Sequence, residues 1–374
     1  MNLSYWEIKN WFTNVDYTIV GSGIVGLHCA LRLRERFPES KILIIEKGML
    51  PQGASTKNAG FACFGSISEI IDDLKNHSEQ EVIDLIQKRK NGIELLRKRL
   101  GDDKINYQPF GGYELFLKGQ EATYNECLQK LPFINDVLKP VFKPYTFAKE
   151  IDRFGFAGIQ EYSIFNPFEA QIDTGNMMQN LLKMAISDDI LILNNQTVTS
   201  YNDINNNVDV ALDNFNFKTK KLLFATNGFA STITNGQVKP ARAQVIITEP
   251  IKKLNIKGTF HIDKGYVYFR NIDKRILIGG ARNLDFETEN TTEFGQTNIV
   301  QNRLEELLKT VILPDQDFKI DYRWSGIMGL GNSKIPIISQ LSQNVYCGVR
   351  LGGMGVAIGS LVGTDLANLV DKKY

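Results

Sequence analysis

The chain has 374 residues, 43% hydrophobic and 23% charged, which suits about two globular domains at roughly 150 residues each. Its 43 Lys and Arg balance 42 Asp and Glu, and a net charge of +1 gives no electrostatic case for nucleic acid as a main partner. Four cysteines, Cys29, Cys63, Cys127 and Cys347, contain no Cys-x-x-Cys pair, which argues against a disulfide framework or structural zinc and for a reducing compartment.

The start, "MNLSYWEIKNWF", lacks the basic-then-apolar order of a signal peptide, and no apolar run approaches the ~20 residues of a membrane span. A cytoplasmic location is the expectation. Tyr5, Trp6, Trp11 and Phe12 are spaced for a short N-terminal helix, residues 1–13, packed on its own domain.

The stretch "DYTIVGSGIVGLHCALRLRERFPESKILIIEKG" reads strand, glycine turn, helix, strand. Tyr17–Val20 is a buried β-branched run; Ile24 to Arg36 has helical spacing and stops before Pro38; Ile42–Ile45 is a second buried strand. Such a unit forms a right-handed parallel crossover. Gly21-x-Gly23-x-x-Gly26 lies at its turn: the first glycine for the tight bend, the second for close approach of a pyrophosphate, the third for helix–strand packing. The helix start at Ile24 then offers free N–H groups to phosphate. Glu46, 20 positions past Gly26 and followed by Lys47, is placed to accept ribose hydroxyls.

Next comes "GASTKNAGFACFGS" (53–66), small and hydroxylated, then helical patterning from Ile67 to Leu100. "GGYELFL" (111–117) predicts a strand, "YNECLQKLPFINDVL" a helix, the segment after Pro140 is irregular, and Thr174 to Ala185 predicts a helix. Strands are expected at 190–193, 196–201, 208–212 and 221–229, with a turn at "NDINNN" (202–207). Residues 242–248, 266–270 and 276–280 alternate as an antiparallel sheet. A helix near Gln296–Leu308 and a strand near Lys319–Trp324 precede "NVYCGVRLGGMGVAIGSLVGTDLANLV", read as strand, glycine turn and long apolar helix.

FAD and NAD share the first fingerprint. No second Gly-x-Gly-x-x-Gly unit follows, which argues against a separate NAD domain, and the helix after Gly352–Gly355 offers a dipole to the anionic pyrimidine end of a reduced flavin. Cys63 has no histidine near it in sequence and no Gly-x-Ser-x-Gly elbow exists, so a hydrolase fits poorly. Of the three histidines, His28 falls in the first helix, His77 on a helix surface, and His261 reads as an ordinary sheet histidine.

On the fingerprint, "ASTKNAG", "PARAQVIIT", "YFRNIDKRILIGG", "YRWSGI…KIPII" and the C-terminal glycine turn, in that order, the chain resembles the D-amino-acid-oxidase-like superfamily of FAD-dependent amine and amino-acid oxidoreductases, which includes glycine oxidase, sarcosine oxidase and gamma-glutamylputrescine oxidase. The resemblance spans essentially the whole chain. It implies an α/β fold: a Rossmann-type FAD-binding domain (14–75, 150–235 and 320–374) interleaved with an antiparallel-sheet substrate domain (76–149 and 236–319). It implies that FAD is held by Gly21, Gly23, Ile24, Gly26, Glu46 and Lys47, by Ser55, Lys57, Asn58, Ala59 and Gly60, by Val198, by Thr226, Asn227 and Gly228, and by Gly326, Arg350, Gly352, Gly353, Met354 and Gly355. Lys57 stands where relatives keep an arginine, which turns a bidentate contact into a point charge.

The implied reaction is hydride transfer from the amine-bearing carbon to flavin N5, giving an imine, with O2 or an electron carrier as acceptor. An NAD-dependent dehydrogenase and a flavin subunit without its own catalysis are the alternatives. Where amino-acid-oxidising relatives place a carboxylate-clamping arginine, this chain has Met328. Arg242, Arg270 and Arg350 are the remaining cationic candidates. Arg270, Tyr268 beside it, and Arg350 before the glycine turn are the candidate substrate residues. Gly326 stands where sarcosine oxidases attach flavin through cysteine, so the FAD is expected to be noncovalent. Leu277 stands where they keep the lysine that speeds oxygen reaction, which leaves oxidase and dehydrogenase both open.

Overall fold

A computed structural model describes residues 2–143 and 145–370; the ends of the expected segments 1–13 and 320–374 fall partly outside them. The β-branched run Val15–Val20 lies in the middle of a mixed sheet, paired parallel to both its neighbours and largely buried. The spatial order is Ile337–Ser342, Val345–Val349, Asn216–Phe224, Val15–Val20, Ile42–Ile45 and Leu191–Leu193, with Val198–Ile204 and Asn207–Leu212 as an antiparallel meander beside Asn216–Phe224. The helix Ile24–Arg36 packs on Gly355–Leu369, and Glu79–Leu100 packs on the far side of the latter. Glycines set these distances. A Cβ on Gly92 would collide with the Ala357 carbonyl, and one on Gly363 with the Val25 carbonyl.

The second sheet runs Ile320–Leu330, Lys239–Thr248, Arg275–Gly280, Val267–Ile272, Thr259–Ile262, Gly112–Leu115, Tyr162–Asn166 and Ala148–Ile151. All its pairs are antiparallel except Thr259–Ile262 with Gly112–Leu115. Period-two alternation gives it two different faces. One carries Phe260 and Phe269, stacked at 4.6 Å, beneath Val300 and Leu304 of the helix Asn298–Leu307. The other faces the 53–66 loop.

Several expectations shift. The strand expected at 221–229 begins at Asn216 and ends at Phe224; Asn227, at φ +42°, turns the chain out of the sheet. Asn202–Ile204 continue a strand, and the turn is made at Asn205, φ +54°. The strand expected at Lys319–Trp324 runs on to Leu330, because Gly326 and Gly329 let it pass close to Lys57 and Asn227. Ile320–Leu330 and Tyr162–Asn166, expected in the cofactor domain, belong to the second sheet, while Glu79–Leu100, expected in the substrate domain, packs on the helix Gly355–Leu369. Of the N-terminal aromatics, Phe12 is buried against Phe215 and Phe217, but Tyr5 and Trp6 face outward at 66% and 65% exposure. No helix among the described residues is long and apolar enough to cross a membrane.

Candidate active site

Gly21 leaves its strand at φ +104°, donating its amide to Ile45 O at 2.8 Å. Only glycine takes that conformation at little cost. A Cβ on Gly26 would fall inside the Gly21 carbonyl oxygen, so turn and helix touch backbone to backbone. The helix begins at Gly23 with no cap from its own side chain. Instead Ser55 reaches over from the second loop, and its Oγ accepts from Ile24 N at 2.9 Å. The two loops thus meet where the helix dipole is most positive.

Glu46 is buried, and both its oxygens are engaged. Oε2 accepts from Ser22 N at 2.9 Å and Ser22 Oγ at 2.8 Å; Oε1 accepts from Gly48 N at 3.0 Å and, more weakly, Gln52 N at 3.3 Å. The carboxylate therefore also shapes its own loop, and a ribose hydroxyl reaches it by displacing one of these donors. Lys47, one residue on, is exposed.

The 53–66 loop is tied down along its length. Asn58 donates from Nδ2 to Ala54 O and Ser55 O, and its Oδ1 accepts from Gly60 N at 2.8 Å and Thr174 Oγ1 at 2.9 Å. Trp324 Nε1 donates to Lys57 O at 2.9 Å. Ala59 is buried with Val245 and Leu277 of the sheet. Gly326 approaches Lys57 so closely that a Cβ there would sit 2.8 Å from the Lys57 Cβ.

At the C-terminal turn, Asn227 Oδ1 accepts from Leu351 N at 3.1 Å, and Gly352 N donates to Gly329 O at 3.1 Å. Gly352 and Gly353 have φ of +61° and +81°, and the helix Gly355–Leu369 starts with no side-chain cap. Thr226 precedes the Asn227–Gly228 turn, and Gly228 is packed against Met328. Met354 Sδ lies 3.5 Å from Cys63 Sγ, so this turn touches the 53–66 loop. Val198 is half-buried at the start of its strand, paired with Leu212. Arg350, itself at φ +66°, donates from Nε to Ile335 O at 2.9 Å, which ties it to the neighbouring 331–336 loop.

On the loop-facing side of the sheet, register aligns Glu114, His261, Tyr268, Gly279, Val245 and Trp324 in one row across five adjacent strand pairings. The next row includes Thr259, Arg270 and Leu277. Arg270 is buried at 2% exposure and donates from Nη1 to Ile172 O at 2.8 Å and Gly60 O at 3.3 Å. It pairs with no carboxylate among the described residues, its Nε lacks a partner, and burial lowers its pKa to about 10. Arg270 thus braces Gly60 against the chain before the helix Thr174–Ser187. Tyr268 packs edge-on to Phe61 at 5.6 Å, and burial pushes its phenol up to about 12.

Three residues of this wall escape local sequence reading. Glu169 Oε2 accepts from Thr259 Oγ1 at 3.0 Å and pairs with His261 Nε2 at 2.9 Å. Burial, the largest single influence, opposes a charged His261, but the charge and hydrogen bond of Glu169 together with the nearby Glu69 and Glu114 lift the pKa to about 9. Glu114 accepts from Ser68 N at 3.0 Å and from Ser68 Oγ, and burial pushes it up to about 7. The signal was present in outline: "GYEL" sets a carboxylate inside an apolar strand, and "TFHI" does the same with a histidine.

The arrangement fits an elongated dinucleotide with a planar ring. It offers a glycine cradle that a Cβ would fill, two helix starts without caps of their own, a brace-held loop between them, and a backbone glycine pair at the far end. A family profile described as DAO, FAD dependent oxidoreductase, matches residues 16–369. Gamma-glutamylputrescine oxidoreductase of Escherichia coli is 24% identical over 382 residues, 95% of this chain and 83% of that protein. The probable oxidoreductase OrdL of Haemophilus influenzae is 20% identical over 380 residues, 96% and 83% respectively. Glycine oxidase from Geobacillus kaustophilus superposes with a TM-score of 0.77 at 18% identity, covering 96% of this chain and 95% of that one. L-proline dehydrogenase from P. horikoshii superposes at 0.75, also at 18% identity, covering 96% and 94%. With the profile spanning nearly every described residue, the chain belongs to the DAO family and is an FAD-dependent oxidoreductase.

Proposed function

We propose that the protein oxidises a C–N bond of a small amine or amino acid, with noncovalently held FAD. The observation that carries the reading is the closure of the 53–66 loop onto one sheet face, where a polar row stands beside apolar residues. When bound, FAD supplies the hydride acceptor at N5, and the oxidised substrate is an imine that water hydrolyses. Gly21, Gly23, Ile24, Gly26, Glu46, Lys47 and Val198 would hold the adenosine and pyrophosphate end. Ser55, Lys57, Asn58, Ala59 and Gly60 run along the cofactor, and Thr226, Asn227, Gly228, Gly326 and Arg350 support its far end. Gly352, Gly353, Met354 and Gly355 would hold the ring end, where the helix start would steady negative charge.

The chain's contribution to the step is orientation and exclusion of water, because hydride transfer from a neutral amine needs no strong side-chain base. Tyr268 and Phe61 shape the substrate side. Arg270 acts through the loop it braces, which is a positioning role, and Arg350 through the loop it ties. Leu277 is apolar, so electrons pass to O2 or to a carrier without a lysine at that position. The two units are best divided by sheet membership, and the cytoplasm is the proposed location.

The test is anaerobic mixing of FAD-loaded protein with a panel of amines and amino acids. At least one is expected to bleach the flavin band. Loaded protein that no member bleaches contradicts the proposal and favours a flavin subunit without its own catalysis.

A further inference from the structure

The turn at Gly352–Met354 lies between two walls drawn from distant parts of the chain. On one side, Cys63 Sγ of the 53–66 loop lies 3.5 Å from Met354 Sδ. On the other, a Cβ on Gly352 would come within 3.8 Å of the Lys334 carbonyl oxygen. Lys334 belongs to the 331–336 loop, between the strands Ile320–Leu330 and Ile337–Ser342. That loop is fastened near both ends. A Cβ on Gly331 would sit 2.7 Å from the Arg350 side chain and from the Gln237 carbonyl oxygen, and Ile335 O accepts from Arg350 Nε at 2.9 Å. Between these anchors the Lys334 side chain crosses to the opposite wall. Its Nζ donates to Asp73 Oδ1 at 2.6 Å, at the end of the helix Ile67–Asp73 that follows directly on the 53–66 loop.

Two features set this pair apart from ordinary surface ion pairs. Its partners are remote in the chain, whereas Lys75 with Asp72 and Lys139 with Asp136 are neighbours on one turn. The Asp73 side chain is only 11% exposed. Asp73 and Glu69 also act on the charge of Arg89, a buried side chain of the helix Glu79–Leu100. Arg89 in turn donates from Nη1 to Phe64 O at 2.6 Å. Lys334, Asp73, Arg89 and Phe64 therefore link one wall to the backbone of the other.

We infer that the Lys334–Asp73 ion pair is a clasp across the ring end of the cofactor cleft, and that its opening precedes release and uptake of FAD. This rests on the proposed seat of the ring at Gly352–Gly355. A planar ring between the two walls is held from both sides while the clasp is closed. Lys334, at 38% exposure, can leave its partner for water, while Asp73 keeps Arg89 as a neighbour. The clasp thus opens from the Lys334 side. It is a charge-assisted hydrogen bond at the protein surface, so added salt weakens it.

The experiment dilutes FAD-loaded protein and follows FAD release by the rise of flavin fluorescence, at low and at high sodium chloride. Lys334→Met keeps the apolar stem and removes the charge; it should speed release severalfold at low salt. Lys334→Glu should speed it further, and Lys334→Arg should keep the slow rate. High salt should bring the unaltered protein toward the Lys334→Met rate. In an Asp73→Asn background Lys334→Met should add nothing, because the partner charge is already gone. The melting temperature of FAD-free protein should be the same across the Lys334 series, which separates a clasp from a general prop of the fold. Equal release rates for unaltered protein and Lys334→Met, or an undiminished effect of Lys334→Met beside Asp73→Asn, overturn the inference. Gly353→Ala tests the seat on its own: at φ +81° it should shift the band of bound flavin. An unshifted band removes the seat and the clasp's role with it; a shifted band with unchanged release in Lys334→Met removes the clasp alone.

Discussion

Gly26→Ala is expected to abolish FAD binding and to leave little folded protein. The added methyl would land inside the Gly21 carbonyl oxygen, which is backbone and cannot swing away. The helix Ile24–Arg36 would have to lift off the strand Val15–Val20, which underlies the sheet centre. Overpacking costs about 1–3 kcal/mol, and more where only backbone stands in the way, against a typical net stability of roughly 5–15 kcal/mol. Lifting the helix also removes its first amides from the phosphate cradle. Gly53→Ala is the contrast, because a Cβ there meets nothing within 4 Å; its stability should change by less than about 0.5 kcal/mol. Urea unfolding and FAD titration of the two variants check both halves. A Gly26→Ala protein that folds and binds FAD normally would mean that helix and strand are not in backbone contact.

Glu46→Gln should weaken FAD at least tenfold and cost about 2–4 kcal/mol of stability. Four donors converge on this buried carboxylate, two from Ser22 and one each from Gly48 and Gln52. An amide presents an NH2 group to two of them, whichever way it is turned. The same side chain holds the glycine turn and the following loop, so cofactor affinity and folding should fall together. FAD fluorescence quenching and urea unfolding measure the two effects. A variant that loses affinity with unchanged stability would confine Glu46 to the ribose contact.

The first strand–turn–helix–strand unit was legible because it is local. Strand, glycine turn, helix and second strand lie within Val15–Ile45, and each cue there is a matter of spacing. The loop-facing polar row of the second sheet was not, because register assembles it. Glu114, His261 and Tyr268 come from three strands, and no nearby pattern records that Gly112–Leu115 runs parallel to Thr259–Ile262. Alternation correctly sets Tyr268 and Arg270 on one face, but the carbonyls of Gly60 and Ile172 that capture Arg270 arrive from elsewhere in the chain. The strand expected near Lys319–Trp324 continues through Gly326 and Gly329. They are the points at which a longer strand passes the loop and the Asn227 turn.

The central claim is that carbon-bound hydrogen beside the substrate nitrogen is delivered to FAD held in this cleft. The most direct measurement is the rate of anaerobic flavin bleaching by the best member of the panel, with hydrogen and then deuterium on the nitrogen-bearing carbon. Deuterium is expected to slow bleaching severalfold. Bleaching by NADH, with none by any amine or amino acid, would contradict the account.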